Sequence, residues 1–184
     1  MIMKVDIPGF SSPAVGLDTP LELLSACHDR MGRQCATLRR LAAHVAQHGS
    51  DAVAQTAAAS VLKYFDTAAV LHHRDEEADL FPALIDSMAG SDARCLHEMV
   101  DGLTQEHRQL EALWRRLHGP LEAVSAGQPA ELDEAGVEQF CAQYADHIQR
   151  EENELLPMAA RLLDDLALSD MSQAMRARRG GGAS

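Results

Sequence analysis

The stretch His72-His73-Arg74-Asp75-Glu76-Glu77-Ala78-Asp79-Leu80-Phe81-Pro82 is written a second time as His147-Ile148-Gln149-Arg150-Glu151-Glu152-Asn153-Glu154-Leu155-Leu156-Pro157. His, Glu, Glu, Leu and Pro stand at the same offsets in both. Residues four apart on a helix sit one above the other, so His72 with Glu76, and His147 with Glu151, each present an imidazole beside a carboxylate. Each phrase is therefore half of a metal site. A weaker repeat runs upstream, with His28 opening an apolar stretch before the first phrase and His107 before the second. The resulting order is His, HxxxE, His, HxxxE.

A single histidine on an apolar face is ordinarily a core residue hydrogen-bonded to a neighbour. Four of them on four converging faces, two accompanied by Glu, would be costly without a cation, because an unpaired buried carboxylate loses its hydration or gives up its charge. Imidazole and carboxylate without thiolate suit iron, manganese or zinc. A tetrahedral zinc takes about four ligands, whereas His28, His72, Glu76, His107, His147 and Glu151 already offer more. The surplus favours two octahedral ions, two His on each and Glu76 and Glu151 bridging, with positions left for an oxo or hydroxo bridge and for exogenous ligands. Glu111 is a seventh candidate, the alternative being a solvated side chain. His73 reads as a supporting or surface residue, with extra ligation as its alternative. Glu77 and Glu152 point about 100° away from the ligand face and read as solvated or supporting carboxylates. Trp114, Phe65, Phe140 and Tyr144 read as core, and Leu110, Met31, Phe65 or Leu80 as candidates to keep an open coordination position dry. His44, His48, His97 and His118 read as surface residues.

Four segments must carry these residues. Thr19-Pro20-Leu21-Glu22 has the form of a capping box with Pro at the first helical position. From there Leu21, Leu24, His28, Met31, Cys35, Leu38, Ala42 and Val45 keep steps of three and four up to Gly49. Ser50-Asp51 caps a second helix with Val61, Phe65, Ala68 or Ala69, His72, Glu76, Leu80 and Leu84 inward. Pro82 should bend or break that helix, and Gly90 ends it. Ser91 starts a third, with Leu96, Val100, Leu103, His107, Leu110, Trp114, Leu117, Leu121 and Val124, and Gly119-Pro120 should disturb its last turns. A connection at 125–133 leads to a fourth, with Val137, Phe140, Tyr144, His147, Glu151, Leu155, Met158 and Leu162.

These segments predict an all-α fold, an up-down-up-down four-helix bundle at 19–166. An extended arm at 1–18 precedes it. A short amphipathic helical piece and a disordered tail come after it, at 167–184.

At 184 residues the chain suits one domain with a full core. Aromatics at 4% and plentiful Ala and Leu favour helix over sheet. A net charge of -12 excludes a basic nucleic-acid or anionic-membrane face. The one basic cluster, Arg176, Arg178 and Arg179, lies in the tail. Cys27, Cys35, Cys95 and Cys141 form no CxxC pair and read as reduced thiols. With no signal peptide and no spanning run, the expected location is the cytoplasm.

The order His28, His72xxxGlu76, His107, His147xxxGlu151, with its EExLFP and EExLLP endings, resembles the hemerythrin-like HHE cation-binding family over roughly residues 20–165. The resemblance implies a di-iron site in the bundle that binds or reacts with dioxygen, peroxide or nitric oxide, or senses iron and redox state. Oxygen carriers of that family have a second His one turn after the third-helix His, where this chain has Glu111. They also place the fourth-helix carboxylate one residue later, which gives Glu152 a minor claim. One imidazole fewer and one carboxylate more would favour ferric iron. Sensing, scavenging or iron handling is thus the expected role, more than reversible carriage or a dedicated enzyme. A mononuclear zinc or manganese enzyme and a metal-free interaction bundle are the alternatives. The expected partners are a small diatomic or peroxide ligand and a second copy of the chain or another protein.

Overall fold

A computed structural model describes residues 19–88 and 92–180. The arm at 1–18, the helix end at Gly90, the cap at Ser91 and the tail at 181–184 lie outside them. Helix α1 spans Pro20–His48. A second rod is built from α2 (Ala52–Lys63), a π turn at Tyr64–Ala68, α3 (Ala69–Asp75), a π turn at Glu76–Leu80 and α4 (Phe81–Ser87). Helix α5 spans Asp92–Ser125. A fourth rod comprises α6 (Glu134–Arg150), a π turn at Glu151–Leu155 and α7 (Leu156–Leu162), and α8 covers Asp165–Gly180. The described residues contain no strand, so the fold is an all-α helical bundle. Helix α1 packs on α2 and α6, and α5 packs on the same two, closing a ring of contacts around one interior.

The ends follow local chemistry. Pro20 opens α1 with its fixed φ, and the expected capping box does not form: Thr19 contributes its carbonyl, 3.0 Å from the Leu23 amide, while its side chain makes no cap bond. Gly49 takes φ 66, which a side chain would resist, and turns the chain into α2. Asp51 caps α2 by accepting the Ala54 amide at 2.8 Å, and Asp133 caps α6 through the Ala135 amide at 3.1 Å.

Two proline expectations change. Pro82 and Pro157 do not end their rods, although a π turn interrupts the α-helix just before each. Each sits just inside an α segment that succeeds a π turn, where the Phe81 and Leu156 amides reach back five residues to the carbonyls of Glu76 and Glu151. Proline has no amide to give its own i−4 carbonyl and clashes with it, and the wider turn relieves both problems. The extra residue also advances the helical phase of α4 and α7. Ala159 and Leu163 are buried where Met158 and Leu162 were expected, and Leu162 is 37% exposed. The third π turn has no proline; there the Thr67 hydroxyl donates to the Lys63 carbonyl at 2.5 Å, competing with the backbone ladder. Gly119-Pro120 leaves α5 unbroken to Ser125, since Leu117, Leu121 and Val124 are buried on both sides of it.

Candidate metal centre

The two π turns begin on Glu76 and Glu151, so both carboxylates hang from locally widened helix at mid-bundle. Both are 0% exposed, as are His72 and His107, while His28 and His147 are nearly so. The Nε2 atoms of His28 and His72 face each other at 3.1 Å, and those of His107 and His147 do the same at 3.1 Å. Each glutamate reaches both pairs. Glu76 places Oε1 at 3.2 Å from His72 Nε2 and Oε2 at 3.3 Å from His107 Nε2. Glu151 places Oε2 at 3.0 Å from His28 Nε2 and Oε1 at 3.2 Å from His147 Nε2.

The outer nitrogens decide what those faces can hold. His28 Nδ1 lies 2.6 Å from Glu152, His107 Nδ1 2.7 Å from Glu77, and His147 Nδ1 2.8 Å from Glu106. A carboxylate can only accept, so each Nδ1 carries the proton and, in the neutral ring, each Nε2 presents a lone pair inward. His107 and His147 then oppose two lone pairs, with carboxylate oxygens beside them. The four oxygens of Glu76 and Glu151 have no hydrogen-bond partner. An arrangement of acceptors without donors is what a cation satisfies, and imidazoles oriented by outer carboxylates are the usual support for one. The residues therefore fit bound metal.

Without a cation, protons serve in its place. Burial pulls the His72 pKa down, but the Glu76 charge, hydrogen bonds with Cys27 and Glu76, and the Glu151 charge together leave the imidazole well above its ordinary value. His107 is raised by Glu76 against the same opposing burial. Glu76, despite burial that would raise it, is held well below the usual range by His72 and His107.

The hemerythrin HHE cation-binding domain, as a sequence family, matches residues 19–159. This chain belongs to that family. An uncharacterized protein of Haemophilus influenzae is 34% identical over 160 residues, which cover 87% of this chain and 90% of that protein. As an HHE domain the chain is a cation-binding protein, and His28, His72, Glu76 and Glu151 form one group of close donors while Glu76, His107, His147 and Glu151 form another.

Glu111 is not among these grouped donors. Its carboxylate is exposed and pairs with Arg108 at 2.7 Å, so the reasoning from an additional carboxylate toward ferric iron loses that residue. His73, by contrast, is buried. It stacks on His107 with ring centroids 3.9 Å apart, its Nε2 lies 3.4 Å from the Tyr144 hydroxyl, and it forms a third donor group with His107 and His147. Burial, then the neighbouring His107, pushes its pKa well below the ordinary value. Glu77 and Glu152 are the supporting carboxylates their spacing allowed. Glu106 was missed, because nothing in its own rod marks it: its partner is His147 on another helix. A cavity of about 280 Å³ opens beside this side of the centre. Its walls include Phe65, His73, Leu110, Phe140 and Tyr144, and it also touches Arg108 and Glu111.

Proposed function

We propose that the chain is a non-haem di-iron protein in which His28, His72, His107 and His147 would hold two ions with Glu76 and Glu151 available to both, and that it binds or reacts with a small oxidant such as dioxygen, peroxide or nitric oxide in sensing, scavenging or iron handling. The observation that carries this reading is the presentation of one oxygen of each glutamate to each imidazole pair. Bound iron would supply electron transfer and an open coordination position. The chain's own residues do the rest. His28, His72, His107 and His147 orient lone pairs inward; Leu110, Phe65 and Phe140 line an apolar approach through the cavity. Burial holds the Tyr144 hydroxyl well above its usual pKa, so it stays protonated and able to donate toward whatever enters.

The ring of helix contacts supports the up-down-up-down arrangement over 19–166, with α8 as an appended piece. Free cysteines support a reducing, cytoplasmic setting. No described helix is long and apolar enough to cross a membrane, and the acidic charge disfavours nucleic acid.

Metal analysis of anaerobically purified protein from its native host tests the reading. About two irons per chain, with near-ultraviolet charge-transfer bands on air exposure, is the expected result. One ion per chain without such bands would overturn it.

A further inference from the structure

The two halves of the centre are related by the repeat, yet they are not equivalent. On the His107/His147 side both outer nitrogens donate to carboxylates, Glu77 and Glu106. On the other side His28 donates to Glu152, while the fully buried Nδ1 of His72 meets no carboxylate. The residue beside His72 is Cys27. Cys27 precedes His28 as Glu106 precedes His107, so a thiol stands where the repeat elsewhere places a carboxylate. A second departure falls the same way. His73 comes after His72 where Ile148 comes after His147, and it is His107 and His147 that gain this extra imidazole within donor distance. Ile148 instead packs into the apolar core.

We infer that the two cation positions differ in kind: the one between His107 and His147 holds its ion tightly, and the one between His28 and His72 holds an exchangeable ion. The physical reason is donor strength. An outer carboxylate makes an imidazole a more basic ligand and fixes its ring, and losing such a partner weakens metal binding by about 10- to 100-fold. The first position has two such imidazoles and a third ring in reserve. The second has one, and a ring held on its outer edge by no carboxylate. A protein built this way keeps one ion and can load or surrender the other as supply changes. This rests on the two-ion reading above.

The test uses cation-free full-length protein and Zn²⁺, which is diamagnetic. Histidine ¹H–¹⁵N correlation spectra are recorded as the ion is added, in parallel with competition against a chromophoric chelator. With one equivalent, the His107 and His147 signals should move while those of His28 and His72 stay. Two steps should appear in the competition. Glu106→Gln should weaken the first by about 10- to 100-fold, and Glu152→Gln should weaken the second instead. Two cations sharing carboxylates repel, so two steps alone would arise in a symmetric site; the assignment of each variant to its own step is the discriminating result. Simultaneous movement of all four histidines, or earlier movement of His28 and His72, would overturn the inference, and the wild-type spectrum decides this even if a variant fails to fold. Binding of fewer than two ions by the wild type would overturn the two-ion reading itself.

Discussion

Glu76 and Glu151 each face two imidazoles from different helices, and this is where charge must be balanced. Replacing Glu76 by Gln keeps the shape and removes one anionic oxygen from each position. Bound metal should fall from about two ions per chain to one or fewer, measured by elemental analysis after gel filtration; retention of two would show that the Glu76 charge is dispensable. The same groups set the pH dependence. His72 and His107 have folded pKa values above the ordinary 6.5, so the stability they give the cation-free protein is complete below that pH and is lost as pH rises through the raised values. Glu76, depressed below 4.5, contributes above that value and loses its contribution only as pH falls further. His73, kept neutral by burial, costs stability below 6.5 and is silent above it. Above about pH 6.5 the cation-free protein should therefore weaken, while metal, which competes with those protons, binds better. The gap between melting temperatures with saturating Zn²⁺ and with chelator should widen from about pH 6.5 to about pH 8.5; a constant gap would contradict the proton-for-metal exchange. Much at this scale was legible in the chain because ligand type and the four-residue step are local properties. Glu106 and the placement of Glu111 were not legible, since each depends on which residue the neighbouring helix or turn brings opposite it.

At the scale of the element, the information lost between sequence and structure is concentrated in the π turns. A steady three-and-four pattern locates every rod, and it holds from Val137 to Leu155 in the fourth. It fails by one residue beyond the widened turn at Glu151–Leu155. The coincidence of Glu76 and Glu151 with the first residue of such a turn points to proline fixing the carboxylate's direction at the cost of regular helix. Pro82→Ala restores the missing amide and permits an ordinary turn. The cation-free variant should melt no lower than the wild type, because interior proline costs about 3 kcal/mol in an undistorted helix. Its metal affinity should drop by about tenfold or more, in line with the loss of a supporting contact. Chelator competition alongside thermal melts separates the two effects, and unchanged affinity would mean that packing, not proline, sets the turn.

Among the described residues the polar centre lies between two apolar clusters. One holds Met31, Leu38, Phe65, Leu110 and Phe140. The other holds Leu24, Leu80, Leu103 and Leu155, and α8 completes it with Met171 and Met175. Two arginines of the basic cluster near the C-terminus are tied to this end. Arg178 pairs with Asp75 and, at 2.9 Å, with Asp79, and Arg179 pairs with Asp75 at 2.5 Å. Asp75 is fully buried and directly precedes Glu76. The C-terminal helix thus neutralises a charge that the rod carrying Glu76 could not otherwise bury. Removing both arginines together, Arg178→Ala with Arg179→Ala, leaves that carboxylate unpaired and should cost about 3–5 kcal/mol. In a chain of this length each kcal/mol lowers the melting temperature by roughly 2–4 °C, so a drop of about 10 °C is expected in chelator-treated protein. Adding Asp75→Asn removes the stranded charge and should recover part of the loss. If the double arginine variant melts like the wild type, or if Asp75→Asn deepens the loss, then α8 is held by its apolar contacts, Met171 and Met175 among them, and Arg178 and Arg179 contribute nothing to the end of the bundle that carries Glu76.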